Sequence, residues 1–428
     1  MPKILIISPY FPPIGGSGVF RMHRLAKYLP EFGFQPVIVH FDRLPGRPRD
    51  EGLLDELGSE VIICPVKYIE PSLRGIKSRP GKESQQSIME DQSGAAAPER
   101  EALWGIVARI RDRIFVPDLS AAWLLFVVPA LRGLVEEHKP AAMITSSSPE
   151  VSNIIGLYLK RKYKLPWIAD FRDPWTDAIR GKEPLWPLNR LEKMLERKTL
   201  LNAELITAYS SGLVQMLGNK IPESSRHKFV ALGPAVDTEK FDRIPRSEKK
   251  FDFLYTGNYD FVYPKEFFPA LDETNRKRKA RGMQPLTMGV AGVVGPRTLQ
   301  FLGPFQARGW LSLLGYVPHQ ETIALIKSAR ALVLLHPDYS WWVPGKIAEY
   351  LHSGKPILAV GGEGELKEMI KGFDQIVFAA NDRNQLETKI EKALELPQCP
   401  RPLPQEFSAR GQAQIVAGLL QKIIGKKD

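Results

Sequence analysis

The chain has 428 residues, 43% of them hydrophobic and 25% charged, with 59 Lys and Arg against 48 Asp and Glu for a formal net charge of +11. This length and balance exclude a disordered or fibrous chain and suit a soluble protein of two domains, each large enough to bury its own core. Two cysteines, Cys64 and Cys399, exclude a disulfide framework and have no CxxC or Cys/His metal spacing, which fits a reducing cytoplasm. The basic excess favours anionic partners: nucleic acid, a phosphorylated substrate or an acidic membrane surface.

Residues 3–8 read as a first β-strand, too short an apolar run for a signal peptide. A helix over about 19–32 and a strand over 35–40 complete an opening βαβ unit. Residues 75–100 are small and polar without hydrophobic period, and are predicted to form a mobile surface loop. The longest apolar stretch, 119–131, contains Pro129 and falls short of the ~20 residues that span a bilayer, so any membrane contact is expected to be peripheral. Further strands are predicted at 141–145, 167–170 and 205–209, each followed by Ser, Asp or Gly at the carboxyl end, where such sheets bind ligands. A second round supplies strands at 251–256, 287–291, 310–313, 331–335 and 357–360, with helices over 319–329 and 364–371. The fold class is therefore α/β with two doubly wound domains: residues 1–242, a basic linker at 243–250 containing Pro245, residues 251–405, and an amphipathic C-terminal helix at 406–428 that crosses back.

Four constellations carry chemistry. After the first strand, Gly15, Gly16, Ser17 and Gly18 offer close backbone approach and a hydroxyl to an anion. A dinucleotide fingerprint would look similar, but Arg21 stands where its third glycine belongs. Asp170 and Asp173 flank Arg172 at another strand's carboxyl end, where acids bind sugar hydroxyls or orient an attacking hydroxyl; a structural pair between Arg172 and either acid is the alternative. Gly257 and Asn258, with Lys265 downstream, suit a diphosphate or else a plain turn. Finally, Pro344 and Gly345 open a helix that holds Glu349 and is stopped by Gly354 and Pro356. Amides at its start attract phosphate, Lys346 adds charge, and Glu349 can accept hydrogen bonds from two ribose hydroxyls.

Together these segments resemble the GT-B glycosyltransferases, specifically the retaining family 4 type. The resemblance is carried by PPIGG at 12–16, ADFRDPW at 169–175, GPAVDTEKF at 233–241, GYVPH at 315–319 and PGKIAEYL at 344–351. Pro117, Asp118 and Trp123 resemble a bacterial polysaccharide branch of that family. The resemblance implies two Rossmann-like domains facing across a cleft, with a nucleoside diphosphate sugar as donor and a saccharide or polyprenyl-linked acceptor. Gly15, Gly16, Ser17, Gly18, Gly257, Asn258, Lys265, Lys346 and Glu349 would hold the donor, Glu349 on the ribose, while Asp173 and Glu150 would serve catalysis. No metal or cofactor is implied, because amides and cationic side chains neutralise the leaving diphosphate in such enzymes. The implied activity is retaining hexosyl transfer in cell-envelope polysaccharide synthesis, in the cytoplasm at the inner face of an acidic membrane, without nucleic acid. Three positions depart from the family pattern: Trp341 replaces an acid that binds the transferred sugar, Glu150 a histidine, and Asn258 an arginine. They keep two alternatives in view, a catalytically silent nucleotide-sugar-binding scaffold and a sugar-nucleotide epimerase.

Overall fold

The computed structural model describes residues 1–70, 116–177, 186–259, 264–336, 339–361, 364–399 and 402–425; the loop expected at 75–100 lies outside them. The chain divides into two compact units. One gathers Met1–Ala208 and Met216–Val230 with the chain from Val416 onward, and the other holds Tyr209–Gln215 and Ala231–Ile415.

Among the described residues the first unit has a seven-stranded sheet of β1 (Lys3–Ile7), β2 (Gln35–Phe41), β3 (Ile62–Val66), β4 (Ala142–Ser147), β5 (Trp167–Phe171), β6 (Leu205–Ala208) and β7 (Phe229–Ala231). Its order is β3-β2-β1-β4-β5-β6-β7, with parallel pairing from β3 through β6. The second has a six-stranded parallel sheet of β8 (Phe253–Thr256), β9 (Met288–Ala291), β10 (Leu311–Gly315), β11 (Ala331–Leu335), β12 (Ile357–Val360) and β13 (Ile376–Ala379), in the order β10-β9-β8-β11-β12-β13. Central strands are continuous apolar runs because helices cover both faces; Ile4 to Ile7 and Leu332 to Leu335 are all inaccessible to solvent. The strand order reverses between β1 and β4 in one sheet and between β8 and β11 in the other. At such switch points the connections leave in opposite directions and open a crevice at the carboxyl ends.

Three strands have no counterpart in the sequence reading. β3 carries Pro65 and alternates in exposure, as an edge strand does. β7 is three residues long, and β13 is the other sheet's edge, neither offering a fully buried run. Residues 231–250 also behave differently from an end of one domain and a linker, because they are built into the second unit. Phe241 and Ile244 are buried with Leu254, Ile326 and Tyr350, and Lys327 Nζ donates to the carbonyls of Phe241 (3.1 Å), Asp242 (3.2 Å) and Ile244 (2.6 Å). The apolar stretch at 119–131 continues as a helical run Leu119–His138 of 20 residues, long and apolar enough by length and composition to cross a membrane. Here Trp123, Val127 and Leu131 are buried while Leu125 is 76% exposed.

Candidate functional site

In the first unit the sequence candidates gather at the β1/β4 switch point. Asp170 is saturated: Arg21 reaches it through Nη2 at 2.8 Å and Nε at 3.0 Å, Thr207 Oγ1 donates at 2.6 Å and Ser146 Oγ at 3.2 Å. The aspartate's structural partner is thus Arg21 and not Arg172. Arg172 instead donates to the carbonyls of Ser147 (3.2 Å), Ser148 and Gly18, tying the glycine loop to the segment after β4. A Cβ at Gly18 would stand 3.0 Å from Arg172 Nη1 and 3.3 Å from the Tyr10 ring, so a larger residue there would crowd the arginine. Gly15 donates its N–H to Pro48 O at 2.7 Å, which anchors the loop and occupies the amide. Gly16 has φ +108, a conformation that favours glycine, and Ser17 is exposed.

The two acids expected to serve catalysis meet at one hydroxyl. Ser148 Oγ donates to Glu150 Oε1 at 2.9 Å and lies 3.5 Å from Asp173 Oδ2; Glu150 is buried and Asp173 exposed. A hydroxyl has a single proton to give, so it serves one carboxylate at a time. Asp118 holds the arrangement, accepting the Glu150 N–H on Oδ2 at 3.1 Å and the Ser120 N–H on Oδ1 at 2.7 Å.

In the second unit the candidates meet at the β8/β11 switch point. Gly257 follows β8 with φ +114, and a Cβ there would lie 2.8 Å from Lys346 Nζ. Lys346 Nζ sits 3.7 Å from the centre of the Tyr255 ring and has no hydrogen bond or ion pair among the described residues. Burial lowers its pKa to about 7 against the opposing pull of Glu349. A cation held over an aromatic face with its hydrogen-bonding capacity unused is poised for an anion.

Glu349, on the helix Ile347–His352, is buried and lies 3.0 Å from His319 Nε2 through Oε1; His319 Nδ1 in turn lies 2.9 Å from Lys240 Nζ. An ammonium can only donate, so Nδ1 is the acceptor and the ring proton on Nε2 points at the carboxylate. Asp237 caps the helix Thr238–Arg243 that carries Lys240, accepting its N–H at 3.1 Å. The acid's own helix is fixed to β8 by Tyr350, whose hydroxyl accepts the Thr256 N–H at 3.0 Å, and it ends at Gly354, φ +66, as the sequence predicts. Its first amide, Ile347 N–H, donates to Pro344 O at 3.1 Å. Trp341 lies 6.3 Å from Tyr339 in a stacked pair, and its carbonyl accepts Ser210 Oγ at 2.6 Å.

Lys265 is exposed in a turn before the helix Phe267–Ala280, while the cation beside Gly257 is Lys346. Asn258 is exposed and its carbonyl accepts the Tyr255 hydroxyl at 3.0 Å. The sequence reading missed Arg21, Asp118, Lys240 and His319 as working parts. For the last two the available signal was their place inside the segments 233–241 and 315–319. Among the described residues no three His, Cys, Asp or Glu side chains stand close enough to hold a metal ion.

No family model matches the chain, and no curated protein matches it. Solved structures do. Sucrose-phosphate synthase of Thermosynechococcus elongatus superposes with a TM-score of 0.60 at 13% identity, covering 100% of this chain and 97% of the other. HepE of Anabaena in complex with UDP and glucose gives 0.55 at 11% identity, covering 100% and 98%. The UDP-GlcNAc 2-epimerase of Methanocaldococcus jannaschii gives 0.55 at 12% identity, covering 97% and 99%. With its two Rossmann-like sheets, the chain has the GT-B fold.

Proposed function

We propose that the protein is a metal-independent glycosyltransferase of the retaining, family 4 type, which moves a sugar from a nucleoside diphosphate sugar to a saccharide or polyprenyl-linked acceptor. The observation that carries this reading is the pairing at the β8/β11 switch point: an ammonium beside Gly257 with no acceptor among the described residues, one helical turn from an oriented carboxylate. The cation suits a diphosphate and the carboxylate suits ribose hydroxyls. That HepE, of the same fold, was crystallised with UDP and glucose supports a nucleoside diphosphate in this seat. The acceptor belongs on the first unit, where Ser148 gathers Glu150 and Asp173. In front-face transfer the leaving diphosphate takes the acceptor's proton, and the chain supplies charge and orientation.

The epimerase likeness favours a second reading, in which the donor itself is converted. A panel of nucleoside diphosphate sugars, incubated with and without acceptor extract, separates the two. Acceptor-dependent release of nucleoside diphosphate is expected; release or conversion without acceptor supports the epimerase. The Glu349→Ala variant is expected to keep its fold and lose turnover, and undiminished nucleotide binding and turnover in it would refute the seat.

A further inference from the structure

The opposite end of the second sheet holds a different cluster. Phe251 and Asp252 precede β8, Thr287 precedes β9, Arg330 precedes β11 and Lys355 precedes β12, so the cavity of about 370 Å³ that they line opens at the amino ends of the strands. The strands between it and Gly257 are four or five residues long, a separation of roughly 15 Å at ~3.3 Å per residue. Arg246 and Lys250 complete the wall, giving four cations against the single carboxylate of Asp252.

That carboxylate is already committed. Asp252 Oδ2 accepts the Thr287 N–H at 2.9 Å and its hydroxyl at 3.0 Å, and Oδ1 lies 3.6 Å from Arg330 Nη1. Lys355 is the informative member. Its side chain lines the cavity, the residue is only 6% exposed, and its Nζ has no hydrogen bond or ion pair among the described residues. Burial lowers its pKa, and the Arg246 charge lowers it further. The stem of Lys355 is packed away while its ammonium faces the cavity beside the Arg246 charge, and like charges held together in this way are relieved when an anion joins them.

We propose that this cavity is a second binding site, for a phosphate-bearing small molecule, held by Lys355, Arg246, Lys250 and Arg330. A phosphate dianion brings acceptors to Lys355 and negative charge to a wall where Asp252 faces four cations, and Arg246 and Arg330 offer planar forks matched to its oxygens. The site is independent of the nucleotide seat.

Inorganic pyrophosphate, titrated calorimetrically into the full chain, tests this. The Lys346→Met variant removes the cation of the nucleotide seat and is expected to retain pyrophosphate binding. Adding Lys355→Met to it is expected to weaken that binding by about tenfold or more, the loss of one charge-assisted hydrogen bond. Lys355→Met alone is expected to be at least as stable as the parent in phosphate-free buffer, because it removes a charge that Arg246 opposes. If Lys355→Met does not fold, Arg246→Gln on the Lys346→Met background decides the matter, again with weaker binding expected. Absence of pyrophosphate binding in Lys346→Met, or unchanged binding after the Lys355 and Arg246 substitutions, overturns the proposal.

Discussion

Lys346 offers the sharpest test of the nucleotide seat, because protonation there must accompany binding. Burial over the Tyr255 ring leaves its pKa at about 7, so above neutrality the free protein holds a largely neutral amine. A diphosphate placed against it favours the ammonium and restores a high pKa. At pH 8 the free amine is about 0.9 neutral, so binding should take up about 0.9 proton at this site. Affinity should weaken about 11-fold at pH 8 and about 100-fold at pH 9 relative to its low-pH limit. The stabilising charge is present below pH 7 and disappears as pH rises through it. Calorimetry with the nucleoside diphosphate in buffers of differing ionisation enthalpy reads the proton count directly. Since the ligand's own phosphate titrates nearby, the decisive comparison is with Lys346→Met, which should bind more weakly and lose the uptake. Proton uptake at pH 8 that is near zero, or identical in Lys346→Met, would show that this amine does not meet the diphosphate.

The Arg21–Asp170 pair should act as structure. Arg21→Met strands a buried carboxylate and is expected to cost about 3–5 kcal/mol in urea unfolding, whereas Asp173→Asn at an exposed position should shift stability by less than about 1 kcal/mol. Equal effects of the two would reject the assignment. His40 should give the first unit an acid-sensitive core: its ring is buried 5.7 Å from Phe11, neither nitrogen has a hydrogen-bond partner among the described residues, and burial lowers its pKa to about 4. Between pH 6.5 and 4 the unfolded chain gains a proton that the folded chain refuses, so stability should fall by about 3 kcal/mol across that window. His40→Phe should flatten this decline in urea midpoints measured against pH, and an unchanged slope would exclude His40 as its source.

The doubly wound character of both units was legible because parallel strands covered on both faces write themselves as uninterrupted apolar runs, as at Ile4 to Ile7 and Leu332 to Leu335. Edge strands carry no such mark, and Pro65 in β3 argues against a strand unless its edge position is known. Glycines and acids at strand ends also pointed to the segments that the fold gathers at its two switch points. Which cation faces which glycine did not follow, since Lys265 is eight residues from Gly257 in the chain while Lys346 is 89 away and touches it only through the crossover. The stretch at 243–250 reads as a linker by its proline and charge, yet Lys327 gathers the carbonyls of Phe241 and Asp242 just before it and of Ile244 within it, and Ser247 N–H bonds Ala324 O at 3.1 Å. Composition records solvent exposure, and such long-range hydrogen bonds leave no trace in it. The same holds for Asp170, whose buried partner comes from a helix 149 residues earlier.

The contact series from Lys240 through His319 to Glu349 bears on engineering. An investigator exchanging donor preference by grafting only the segment after residue 343 from another protein of this fold would import the acid but inherit a histidine and a lysine from the host. Such chimeras should work when the three positions travel together and misplace the carboxylate when they are divided, so the natural cassette for transplantation begins before Asp237 and spans the whole second sheet.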